Sequence, residues 1–159
     1  MSKKASHLGG EGLAPKRVVV VDDNEILLRA WKKLLTRDGF SCFATTNPEA
    51  ALEHLEQEGA DLLICDIVMP HMDGFELLQR MQRMPWHPHI VLTTGYVCDF
   101  KRLKLDVGTQ DVHVLLKPYG DIQEILRFIH RLMDGDESLD ETQDSCQTLD
   151  DARVHLWSL

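Results

Sequence analysis

The chain has 159 residues, 43% of them hydrophobic, which suits one domain with a sizeable core. Its formal net charge of -9 argues against direct binding to nucleic acid. No apolar run approaches the roughly 18 residues that span a bilayer, and the polar N-terminus lacks the apolar stretch of a secretory signal, so a cytoplasmic protein with no membrane contact is expected.

Residues 1–15, with Gly9, Gly10, Gly12 and Pro15, read as a flexible leader. A strand is expected over 17–22, where four valines run up to Asp22 and Asp23. A helix over 25–37 follows, with Ile26, Leu27, Ala30 and Leu34 as its apolar stripe and Gly39 as its stop. A second strand (40–44) leads to a helix over 48–58 that opens on Pro48. The third strand, 61–66, is an apolar run ending at Asp66. A third helix begins after Asp73-Gly74 and carries Phe75, Leu78 and Met81 at helical spacing. The fourth strand, 89–94, ends at Thr93-Thr94, and a fourth helix is expected over 98–107. The fifth strand, 112–116, stops at Lys117-Pro118. The fifth helix, 121–133, shows Ile122, Ile125, Leu126, Ile129 and Met133.

Residues 134–159 lose this pattern and hold eight Asp or Glu against one Arg, a net of -7 that leaves -2 for the rest. They read as an acidic tail, disordered over 134–148. Leu149, Ala152, Leu156 and Leu159 share one helical face, so a short terminal helix anchored by Trp157 is one expectation and a frayed end the other. The four cysteines (42, 65, 98 and 146) lack C-x-x-C spacing and read as reduced thiols.

Five alternating β-α units imply a doubly wound, five-stranded parallel sheet with helices on both faces, a flavodoxin-like three-layer α/β sandwich. In the strand order 2-1-3-4-5, strands 1 and 3 are neighbours, and ligands bind at the carboxyl ends of such strands. That order brings Asp22, Asp23 and Asp66 together. At ~5 Å and an effective dielectric of ~20, each carboxylate pair costs about 3 kcal/mol. Mg2+ held by carboxylates and water removes that cost. Lys117 adds a positive charge, Thr94 a hydroxyl donor, and Gly95 room for a group to approach. A carboxylate nucleophile in such company suits acceptance of a phosphoryl group, a reaction that needs positioning and charge neutralisation.

Blander roles exist for each residue. Asp22 with Glu25 fits a helix cap. Lys117 fits a surface lysine, Thr93 a packing or capping residue, and Asp73-Gly74 a turn and helix start. Met69, Met72, Met81 and Met84 fit loop and core packing. His87 and His89 lack further zinc ligands at a usual spacing.

The runs Val21-Asp22-Asp23-Asn24, Cys65-Asp66-Ile67-Val68-Met69-Pro70-His71-Met72-Asp73-Gly74, Thr93-Thr94-Gly95-Tyr96 and Leu116-Lys117-Pro118-Tyr119 resemble those of the CheY-like receiver domains of two-component response regulators. The resemblance covers residues 16–133. It implies that Asp66 is the phosphoacceptor, charged by a sensor histidine kinase or phosphotransfer protein. Asp23 is then a direct Mg2+ ligand, Asp22 acts through metal-bound water, and the Val68 carbonyl completes the shell. Thr94 bonds the phosphoryl oxygen, Lys117 pairs with it, and Pro118 holds the following loop. Tyr96 sits where the family varies residues that influence dephosphorylation. One position departs from the pattern: the inward-turning aromatic three residues before the lysine is Val114. The implied protein is a signalling receiver acting on an unknown downstream protein, rather than an enzyme for an external substrate. Its signalling face is expected on the fourth helix, fifth strand and fifth helix, with reordering at 96–100. A haloacid-dehalogenase-type phosphohydrolase would need an aspartate at Val68. A flavin-binding protein would need a phosphate loop where Asp22-Asp23-Asn24-Glu25 stands.

Overall fold

The computed structural model describes residues 14–95, 112–117 and 119–135, and the backbone of 146–148 and 154–157. Strand β1 (Arg17–Val21) is a run of valines with neither face in solvent, as β-branched residues between two helix layers favour. Helix α1 (Glu25–Arg37) starts at Asn24, whose side chain accepts from the amides of Ile26 and Leu27 at 3.0 and 3.2 Å. It ends before Gly39, where φ is +97° and a side chain would be strained. Strand β2 (Ser41–Thr45) and helix α2 (Pro48–Glu58) follow, with Asn47 capping α2 and Pro48 in its first turn. Strand β3 (Leu62–Asp66) is buried throughout, and Asp73 caps helix α3 (Gly74–Met81) through the Glu76 amide. Strands β4 (His89–Thr94) and β5 (Val112–Leu116) come next. Helix α4 (Ile122–Asp134) starts on an Asp121 cap and stops at a left-handed Gly135. The expected helix over 98–107 and Tyr96 lie outside the described residues.

The sheet runs β2-β1-β3-β4-β5 in parallel, the order expected of a doubly wound fold. Because side chains alternate across a strand, each face gathers its own core. Val19, Val21, Leu63, Cys65 and Leu92 pack with Leu55 of α2 and Phe75, Leu78 and Met81 of α3. Val18, Val20, Ile64, Val91 and Leu115 pack with Trp31 and Leu35 of α1 and with Phe128, Ile129 and Leu132 of α4.

Three expectations require correction. On α1 the buried residues are Leu28, Trp31 and Leu35, whereas Ile26 is 79% exposed and Ala30 lies in solvent. The helix carries two adjacent apolar stripes, and the one turned to the sheet holds the larger side chains. On α4, Ile122 lies outside the core at 51% exposure, while Ile125, Leu126, Ile129 and Met133 are in it. Finally, the tail adds two strands to the five expected, seven among the described residues. Strand β7 (Val154–Trp157) pairs parallel to β5, with Val112 opposite Val154 and Leu115 opposite Trp157, and β6 (Cys146–Thr148) pairs antiparallel to β7. The terminal helix is therefore replaced, over 154–157, by a strand. An isolated short helix is marginal, whereas the open edge of β5 offers backbone partners to a β-branched and aromatic segment. Among the described residues no helix is long and apolar enough to cross a membrane.

Candidate functional site

Each site residue stands where a strand gives way to a loop. β1 ends at Val21 and delivers Asp22 and Asp23, and β3 ends on Asp66 itself. Strand β4 ends on Thr94, and β5 delivers Lys117, whose amide donates to the Thr94 carbonyl at 2.7 Å. Pairing of Val21 with Cys65 in adjacent strands fixes the lateral position of the acids.

Asp22 and Asp66 are 2% and 6% exposed, and Asp23 faces solvent. One oxygen from each of the three carboxylates lies within 4.8 Å of the others. The Lys117 ammonium sits between two of them, 3.2 Å from Asp22 Oδ2 and 3.3 Å from Asp66 Oδ2. Among the described residues one ammonium stands against the three carboxylates, so negative charge remains. Burial holds the Asp66 carboxyl above its ordinary pKa; Lys117 pulls it down, and Asp22 and Asp23 push it up. Burial works against the Lys117 ammonium, but Asp22 and Asp66 outweigh it and raise its pKa. These are hard oxygen donors, partly buried and in charge excess, so the residues fit a divalent cation such as Mg2+.

The capping role open to Asp22 falls to Asn24; Asp22 Oδ1 instead accepts from the Asn24 amide at 2.8 Å and holds the loop in shape. Thr94 is buried at the rim, and among the described residues, its chain neighbours aside, no atom lies within 4 Å of where a Gly95 side chain would begin. Val114 is fully buried on β5. Val68 is exposed, and Pro118 lies outside the described residues.

Two neighbours of the site escaped the sequence reading. Gly74 donates its amide to the Ile67 carbonyl at 2.9 Å, and a Cβ on it would stand 2.8 Å from the Asp66 carbonyl oxygen. A glycine is therefore required for α3 to start against the backbone of Asp66, and the Asp-Gly pair signals this only as a turn. The other is Tyr119, whose ring meets the edge of Trp31 at a centroid distance of 5.4 Å. Its position two residues past Lys117 was the available signal.

Over 117 residues the chain is 34% identical to the 3',5'-cyclic-nucleotide phosphodiesterase regA of Dictyostelium discoideum, a match covering 70% of this chain and 14% of that protein. It is 30% identical over 118 residues to the response regulator receiver protein CpdR of Brucella abortus, covering 74% of this chain and 97% of that one. Several other curated relatives are matched over about half their length. A response regulator receiver domain protein from Methanospirillum hungatei superposes with a TM-score of 0.68 at 26% identity, over 79% of this chain and 99% of that one. The family model of the response regulator receiver domain matches residues 18–130, the span that holds the acidic cluster and most of both cores, and the chain belongs to that family.

Proposed function

We propose that this receiver takes a phosphoryl group on Asp66 from a sensor histidine kinase or phosphotransfer protein, and that the altered surface is then bound by a downstream protein. The observation that carries this reading is the Lys117 ammonium, 3.3 Å from a buried aspartate that stands among two further carboxylates. An Asp66 oxygen attacks the phosphorus of the donor. The P–O bond of an acyl phosphate forms as the P–N bond of a phosphohistidine breaks, and the imidazole nitrogen leaves with the bonding electrons. Lys117 pairs with the charge added at Asp66, and the Thr94 hydroxyl donates to a phosphoryl oxygen. Gly95, with no side chain of its own, leaves room for the group to approach.

Mg2+ bound by Asp23 and Asp66, by Asp22 through water and by the Val68 carbonyl would neutralise the gathered charge. The Val68 side chain is a hydrocarbon with no ligand atom, so its contribution comes from the backbone. Pro118 shapes the loop after Lys117. The chain is a signalling module that promotes its own phosphorylation and dephosphorylation, and its setting is the cytoplasm. Its partners are proteins, with no direct role for nucleic acid or membrane.

Intact-protein mass spectrometry after incubation with acetyl phosphate tests the assignment. With Mg2+ the wild type gains one phosphoryl group; without Mg2+, or in Asp66→Asn, it gains none. An equal gain in the variant would overturn it.

A further inference from the structure

Val114 is fully buried on β5 and carries no ring. Tyr119 follows Lys117 by two residues and leans on Trp31 of α1, edge to face, with an interplanar angle of 70°. Its hydroxyl is buried and, among the described residues, makes no hydrogen bond of good geometry. It lies near Thr93 and the Trp31 indole, without the geometry of a hydrogen bond to either. A buried donor left unpaired is disfavoured, so any acceptor brought within reach gives the ring a second, better position. Burial also pushes the phenol pKa up, which keeps it a donor.

The groups around Tyr119 are those that change when Asp66 is modified. Lys117 is shared between Asp22 and Asp66, and its amide is tied to the Thr94 carbonyl, one residue from Thr93. A phosphoryl group on Asp66 draws the ammonium away from Asp22, which changes the charge that Lys117 and Asp22 together set around the phenol. On its other side the ring lines an apolar groove of about 250 Å³ between α1 and α4, with Trp31, Leu27, Leu34, Ile122 and Ile125.

We infer that Tyr119 is a positioning residue that links the state of Asp66 to the shape of the α1–α4 groove, in the role Val114 cannot fill; this rests on Asp66 being the phosphoacceptor. Two arrangements of one side chain, biased from the site and read at the groove, are what such a coupling requires.

Trp31 is the reporter. In the full chain carrying Trp86→Phe and Trp157→Phe, beryllofluoride with Mg2+ changes the Trp31 emission. The change is lost in Tyr119→Leu and reduced in Tyr119→Phe, which keeps the ring but not the donor. Phosphoryl gain from acetyl phosphate, followed by mass, persists in both. Should Tyr119→Leu fail to fold, the Tyr119→Phe variant decides alone, and an undiminished response in it overturns the inference. A silent Trp31 in a chain that gains the phosphoryl group also overturns it. Absence of any phosphoryl gain at Asp66 removes the reading beneath it instead.

Discussion

A carboxylate pressed against two others and cut off from water keeps its proton longer than one in an open chain. Asp66 is in that position, with its pKa raised above 3.8 by burial and by Asp22 and Asp23, against the pull of Lys117. The folded pKa exceeds the unfolded one. The stability this group contributes is therefore complete below the ordinary carboxylate range and is lost as pH rises through the raised value. Asp66→Asn removes that loss and leaves Lys117 its contact with Asp22. Without divalent cation the variant melts above the wild type at neutral pH, and the gap closes as pH falls into the ordinary carboxylate range. Thermal melts at both pH values check this; a variant less stable at neutral pH would mean that the Lys117 contact outweighs the repulsion. The residue itself was legible, because a buried run that stops at an acid is conspicuous. Gly74 was not, since the atom it must clear belongs to another stretch of chain, the Asp66 carbonyl 2.8 Å from its would-be Cβ.

Elements were legible wherever alternation or capping is local. The caps Asn24, Asn47, Asp73 and Asp121 each satisfy an amide of their own helix, but only Asp73 was read as a helix start and Asp22 was offered in place of Asn24; β1 and β3 announce themselves by composition. Helix α1 misled because Ile26-Leu27-Leu28 and Leu34-Leu35 place apolar residues on two neighbouring stripes, and only the sheet decides which one is covered. The two stripes separate cleanly by mutation. Leu35 is fully buried, so Leu35→Ala costs about 2–5 kcal/mol. Leu34 is only partly buried, at the edge of the groove, and Leu34→Ala costs about 1 kcal/mol or less. Urea denaturation of the two variants gives the comparison, and equal losses would contradict the burial.

At the scale of the molecule, the parallel doubly wound sheet followed from alternation and from the handedness of crossovers, and its strand order from the flavodoxin-like fold type. The addition of β7 and β6 did not, because which edge a distant strand joins is a long-range matter that no local pattern encodes. Truncation after Gly135 tests what the addition does. It bares the edge of β5, a buried-type strand of Val, His and Leu, to other copies of the chain. The truncated chain self-associates more than the full chain at equal concentration in light scattering, and identical behaviour would mean that the two strands guard nothing.

The pairing of β5 with β7 also sets an order in time. Val112 and its partner Val154 are far apart in sequence, and contacts of that span form late because the intervening chain must first be gathered. During synthesis β5 emerges well before β7. For that interval a nascent chain with a complete acidic site still carries an open sheet edge, and association between neighbouring nascent chains is most probable then.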